Sequence, residues 1–473
     1  MVLRWLVMVA MCCGTAQAWA QIPASVDAEL ARAKVPREAV ALLVVDAQNP
    51  TAPPRLSHRT GAPMQAASVI KLVTTVAGLE LLGPAYTWST PVYVDGSVQA
   101  GVLRGTIYIQ GQGDPKLVLE RLWLLLRRVQ GLGIHTVQGD IVLDRSAFAL
   151  EATDPAAFDG EPLRPYNATP DALLINYKSV LMVFTPDRQR RVAQVQFDPP
   201  LWGVQMQTTV PLSEAPCGDY RGALKAVFTD PHRIRFNGSY PADCGEKAWP
   251  VAYVDPESYA PRAVQGLWNS MGGKLEGTVR YGTVPAALLA AAPTLEVRSP
   301  PLAEVIRDIN KYSNNVMAQQ LFLTLGREGK GDVATMASAR AVVERWWQSR
   351  ISSTEPLDLD KGSGLSRQER ISAHALGQLL QAAYRSPLMP ELIASLPLSG
   401  VDGTLKRAKV ASPGSAHLKT GSLNGVSAIA GYVDGASGKR YALVALINHP
   451  NAASARAAFD ALVDWTAQDT EDR

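Results

Sequence analysis

The sequence predicts a multidomain α+β protein in which an antiparallel sheet flanked by helices carries inserted β-rich domains. Three observations predict this. At 473 residues the chain is too long for one ordinary core. Near the C-terminus, 415–422, 426–433 and 440–447 read as strands joined by short turns, which implies antiparallel pairing, and 453–468 reads as a closing helix. In the middle, 177–255 shows little helical periodicity; short β-rich runs alternate with Pro, Gly and Asp clusters.

Taken in order, 25–33 reads as a short helix, 40–45 as a buried strand and 55–58 as a second strand. Ala67-Ser68-Val69-Ile70-Lys71 then opens an apolar run to Leu82 that reads as a buried helix, with Gly83-Pro84 as its stop. The stretch 102–109 alternates like a strand and ends in the turn cluster Gly111-Gln112-Gly113-Asp114-Pro115. An amphipathic helix at 117–129 and a strand at 139–144 follow. The β-rich stretch at 177–255 is expected to form a small sandwich of its own. Beyond it, 258–272 reads as a helix, 275–281 as a strand rejoining the earlier region, and 288–301 as a return linker. Helices at 301–311 and 316–325 are broken at Tyr312-Ser313-Asn314-Asn315. Two more, at 334–349 and 374–384, flank the glycine-rich loop Lys361-Gly362-Ser363-Gly364-Leu365-Ser366.

Composition narrows the function classes. A hydrophobic content of 47% with 19% charged residues can build sizeable cores. The net charge of +3, without a basic block, leaves no electrostatic footprint for nucleic acid. His58, His135, His232, His374, His417 and His449 are scattered, no two at metal-ligand spacing, so neither a metal nor a cofactor is expected. Residues 1–20 have the marks of an export signal: Arg4, an apolar run from Trp5 to Gly14, and Ala18-Trp19-Ala20 before Gln21. The run is short for a bilayer span, and no later segment approaches that length, so at most peripheral membrane association is expected. Cys12 and Cys13 fall inside the signal. Cys217 and Cys244 remain, and in an oxidising compartment they are expected to form one disulfide closing a 26-residue loop.

Three short patterns carry chemistry. Ser68 and Lys71 stand three apart on a helix, so hydroxyl and amine share a face, and a desolvated lysine can take a proton from serine. An N-cap serine with a snorkelling lysine would look the same, and S-x-x-K arises by chance roughly once in a chain this long. Ser313-Asn314-Asn315 sits in a helix break, where a hydroxyl can relay a proton and an amide can grip a peptide carbonyl. Lys419-Thr420-Gly421-Ser422 ends a strand, offering a cation and two hydroxyls to a carboxylate, with Gly421 letting a substrate backbone lie close. Each is weak alone, but the set in this order and context is specific.

On these motifs the chain resembles the penicillin-recognising serine enzymes, and within them the D-alanyl-D-alanine carboxypeptidase/endopeptidase family of penicillin-binding protein 4 type. The 245 positions from Ser68 to Ser313 match the long insertion that marks this family. Pro165-Tyr166-Asn167, Gly362 through Arg367 and the Leu396–Leu405 region are similar to family segments, while Asn314 stands where Asp is frequent. The resemblance implies a penicillin-binding/β-lactamase-like core with Ser68 as nucleophile, Lys71 as general base and Ser313 as proton shuttle. It implies Asn315 on the substrate amide, Lys419, Thr420 and Ser422 on the terminal carboxylate, and the backbone N–H groups of Ser68 and Ser422 as the oxyanion hole. It further implies peptidoglycan pentapeptides or cross-linked muropeptides as substrates, β-lactams as inhibitors, and the periplasm as location. The expected division is a signal at 1–20, a catalytic domain at 22–92 and 294–473, an α/β insert at 93–178 and 256–293, and a β-sandwich-like insert at 179–255. A β-lactamase is the nearest rival, but no asparagine lies between Asn315 and Asn424, so an E-x-x-x-N loop is missing. A non-catalytic cell-wall-binding protein is the rival from another class.

Overall fold

The structure, a computed structural model, describes residues 22–327, 333–351, 355 and 357–469. The expected export signal, with Cys12 and Cys13, lies outside the described residues. Among the described residues no helix is long and apolar enough to cross a membrane.

The sheet that positions the site has five antiparallel strands, in the order Ala416–Leu423, Val426–Asp434, Arg440–Asn448, Val40–Asp46, Leu56–His58. Its central strands read as continuous apolar runs because both faces are covered. The period-2 alternation separates two cores. Val40, Leu42 and Val44, with Leu443, Ala445 and Ile447, face one cluster that includes Leu462 of the closing helix Arg456–Ala467 and Leu30 of the helix Ala24–Arg32. Ala41 and Leu43, with Ala442, Val444 and Leu446, face the other, built with helices Lys71–Leu82, Leu302–Lys311, Asn315–Leu325 and Ala373–Tyr384. Leu418 belongs to the first cluster, so Lys419 points to the opposite face, toward the Lys71 helix.

Within residues 89–298 lies a seven-stranded sheet in which Ser89–Gln99 pairs with Val102–Gln110 on one side and Leu295–Arg298 on the other. A five-stranded and a three-stranded sheet follow between 179 and 252. Here the structure corrects several expectations. The stretch read as a return linker contains a strand, Leu295–Arg298, paired antiparallel with Ser89–Val92. The inserted sheet therefore runs across both expected boundaries, at 92/93 and 293/294. The strand expected at 275–281 is two short ones, because the strand it faces is itself broken: Lys274–Leu275 pairs with Thr136–Val137, and Val279–Tyr281 with Ile141–Leu143. The β-rich stretch has no small core to itself, since its Phe184, Phe236 and Tyr240 join one continuous cluster with Leu122, Ile141 and Trp268 of the α/β part. A short helix, Met389–Ser395, was not expected. Cys217 and Cys244 are bonded to each other.

Candidate active site

Ser68 sits in a 3-10 turn, Ala67–Ile70, and the α-helix starts only at Lys71. In a 3-10 turn residues i and i+3 eclipse, which brings the side chains closer than the expected α-helix would. Ala67, just before the serine, has φ +46°, a left-handed conformation of the kind that strained functional turns hold. The helix is apolar all round and therefore buried, and Lys71 is fully buried with it.

The Lys71 amine has three neighbours. Nζ lies 2.9 Å from Ser68 Oγ and 2.6 Å from Asn315 Oδ1, and it also donates to the Ser363 carbonyl. Asn315 is held the right way round, because its Nδ2 donates to the Tyr166 carbonyl at 3.1 Å, leaving Oδ1 to face the lysine. Burial first, and then the charge of Lys419, holds the Lys71 amine well below its ordinary value, with Glu369 opposing. A neutral amine has two N–H bonds and one lone pair. The two oxygens that can only accept, Asn315 Oδ1 and the Ser363 carbonyl, take both N–H bonds, so the lone pair is left for the Ser68 hydroxyl.

Lys419 is also fully buried. Its Nζ donates to Ser313 Oγ at 2.9 Å and to the Thr420 carbonyl at 2.7 Å, and burial pushes it down to about 7. Ser313 has φ +57°, and the next residue, Asn314, caps the helix Asn315–Leu325 by accepting from Met317 N at 3.1 Å. Asn314 thus caps the helix, while Ser313 and Asn315 on either side of it meet Lys419 and Lys71. Gly421 faces the serine turn. A Cβ there would stand 2.5 Å from the Ala66 carbonyl oxygen and 3.0 Å from Ser68 N, so only glycine lets the strand lie against the nucleophile.

Ser68, Ser313, Thr420, Gly421 and Ser422 line a cleft of about 530 Å³, whose lining also includes Arg407, Arg456 and Asp460. Lys71, Asn315 and Lys419 lie beneath it. The expected site residues are therefore brought together; Cys217 and Cys244 belong to the inserted region, elsewhere in the molecule. Sequence reasoning missed the Tyr166 and Ser363 carbonyls, although both residues lie in stretches singled out as family-like. It also missed Thr404, whose hydroxyl bonds Thr420 Oγ1 at 2.7 Å.

Comparison with known proteins finds relatives along most of the chain. The sequence profile of the D-Ala-D-Ala carboxypeptidase 3 (S13) family matches residues 22–469. A D-alanyl-D-alanine carboxypeptidase from Actinomadura sp. (strain R39) is 28% identical over 396 residues, covering 81% of this chain and 73% of the relative. The D-alanyl-D-alanine carboxypeptidase DacB of Haemophilus influenzae is 25% identical over 390 residues, covering 81% and 80%. The crystal structure of penicillin binding protein 4 from the same organism superposes with a TM-score of 0.71 at 23% identity, covering 93% of this chain and 99% of that one. With every described residue inside the family match, the chain belongs to the D-Ala-D-Ala carboxypeptidase 3 (S13) family.

Proposed function

We propose that this enzyme cleaves the terminal D-Ala-D-Ala bond of peptidoglycan stem peptides through an acyl-enzyme on Ser68. The observation that carries the residue roles is the buried Lys71 amine, with its lone pair left for Ser68. Lys71 takes the hydroxyl proton as Ser68 Oγ bonds to the carbonyl carbon between the two D-alanines. The resulting oxyanion is met by the backbone N–H groups of Ser68 and Ser422. As the C–N bond breaks, Ser313 gives its hydroxyl hydrogen to the leaving amine and takes the Lys71 proton in its place, which returns Lys71 to its neutral form, while the Ser313 oxygen is held by Lys419. Water then hydrolyses the ester, with Lys71 again as base. Asn315 holds the substrate amide, and Lys419 with Thr420 and Ser422 holds the departing carboxylate.

Two features of the cleft bear on the alternatives. Among the described residues lining it, the one carboxylate is Asp460, and no glutamate lines the cleft to hasten deacylation as a β-lactamase requires. The cleft also continues past the catalytic residues to Arg407 and Arg456, which supports cross-linked muropeptides as additional substrates. β-Lactams are the expected inhibitors and the periplasm the expected location. The test is labelling with a fluorescent penicillin, together with D-alanine release from a pentapeptide. Wild-type protein takes up one penicillin per chain on Ser68, and Ser68→Ala loses labelling and turnover by orders of magnitude. An adduct mapped to another serine refutes the assignment.

A further inference from the structure

A carboxylate lies behind the Lys71 amine rather than in the cleft. Glu369 is buried, and its Oε1 accepts three consecutive backbone N–H groups, from Asp360, Lys361 and Gly362, at 3.2, 3.0 and 2.8 Å. The segment gathered in this way runs directly into Ser363, whose carbonyl takes one of the Lys71 protons. Two more bonds secure it. Thr74 Oγ1, one turn beyond Lys71 on the same helix, donates to the Gly362 carbonyl at 2.6 Å, and Gln319 Nε2 donates to Ser363 Oγ at 3.3 Å. Gly364, at φ +79°, lets the loop press on the Ala67 carbonyl, so the loop also abuts the nucleophile turn.

Holding three N–H groups explains only one oxygen of Glu369. Its Oε2 is buried without a hydrogen-bond partner among the described residues, an arrangement that costs stability. Two charged groups act on Lys71: Lys419 from the strand Ala416–Leu423, and Glu369 from the loop. Burial pushes the Glu369 carboxyl above its ordinary value and the charge of Asp360 adds to this, while the three N–H groups pull it back toward the ionised form. Asp360 is held in turn by Arg340 of the helix Met336–Arg350 through its carbonyl at 3.1 Å and its carboxylate at 3.7 Å.

We propose that Glu369 is a positioning residue for the Lys71 amine: it fixes the carbonyl that aims the lone pair at Ser68, and it sets one negative charge against the positive charge of Lys419. The proposal rests on the reading of Lys71 as the base. A base must be neutral at rest and yet basic enough to take a serine proton. Burial and Lys419 both push the amine toward weakness, and Glu369 opposes them without touching substrate.

The second-order rate of acylation by penicillin, measured against pH, tests this in the full chain with two variants. Glu369→Gln keeps the size and one acceptor oxygen but removes the charge. Its acid limb is expected to move to lower pH by about half a unit or more, because Lys71 then loses its proton more readily. Thr74→Val loosens the loop without changing any charge, and is expected to lower the rate several-fold with the limb at its wild-type pH. A Glu369→Gln limb that stays in place, or an equal movement in Thr74→Val, overturns the proposal and leaves Glu369 a structural residue. Wild-type protein that takes up no penicillin refutes the underlying base assignment instead, so the two failures are distinguishable.

Discussion

Replacing Lys419 with methionine should make the catalytic part of the protein more stable while disabling it. Lys419 is fully buried, and its amine meets only the Ser313 hydroxyl and the Thr420 carbonyl; no carboxylate pairs with it among the described residues. Burial lowers it from the ordinary 10.5 to about 7. An unfolded lysine keeps its proton up to about 10.5, whereas the folded one releases it near 7. Between those values the unfolded state binds more protons, so stability rises with pH across this window and is flat with respect to this group below it. The gap corresponds to roughly 5 kcal/mol of cost for holding the charge at pH 6. Lys419→Met removes that cost and gives back about 1–2 kcal/mol through the two lost hydrogen bonds. The expected net gain is roughly 3 kcal/mol at pH 6, shrinking markedly by pH 9. Urea unfolding followed by tryptophan fluorescence at both pH values measures it. The same variant should lose affinity for ligands bearing a free carboxylate. In the wild type that affinity should hold below pH 7 and fall as pH rises above it, since the bound carboxylate favours the charged amine. A Lys419→Met protein less stable than wild type at pH 6, or with the same pH dependence as wild type, refutes the reasoning.

Two further outcomes follow from geometry. Gly421→Ala would drive a Cβ to 2.5 Å from the Ala66 carbonyl oxygen, displacing the strand from the serine turn; acylation should slow by about 10²-fold or more, and an unchanged rate would show that the turn adapts. The Cys217→Ser/Cys244→Ser double variant should lose roughly 3 kcal/mol in the chain-entropy picture and be cleaved more readily around 180–255, yet still acylate with penicillin, as peptide mapping and labelling would check; equal protease resistance, or loss of acylation, would contradict this.

The legible parts of this molecule were those that residue type and period encode. Strands such as Arg440–Asn448 are apolar between their ends because helices cover both faces, and that run is visible in the sequence. The serine, lysine and asparagine side chains were legible because their chemistry is specific to residue type. The Ser363 and Tyr166 carbonyls were not, since a backbone oxygen belongs to every residue and only the fold aims it. Glu369 looked like any surface glutamate, with neighbours Arg367, Gln368 and Arg370 all polar. Leu295–Arg298 was hidden because four residues flanked by Pro293 and Pro300 carry too little period to read; its pairing with Ser89–Val92 is a long-range choice.

That pairing has a topological consequence. Arg298 lies across from Ser89, so the chain leaves the catalytic part and comes back to it at neighbouring positions of one antiparallel ladder. Just inside, the Trp88 N–H donates to Ser299 Oγ at 3.0 Å, and the Trp88 indole donates to Thr324 on the far side of the join. From the catalytic sheet's side, everything between 89 and 298 then behaves as the tip of a hairpin. Once that region has folded, bringing Lys71 to Asn315 requires closing only a short effective loop, whose entropy is far below that of the intervening sequence taken as free coil. In that order of folding, the long separation between the serine motif and the asparagine motif is not a distance that assembly of the site has to search.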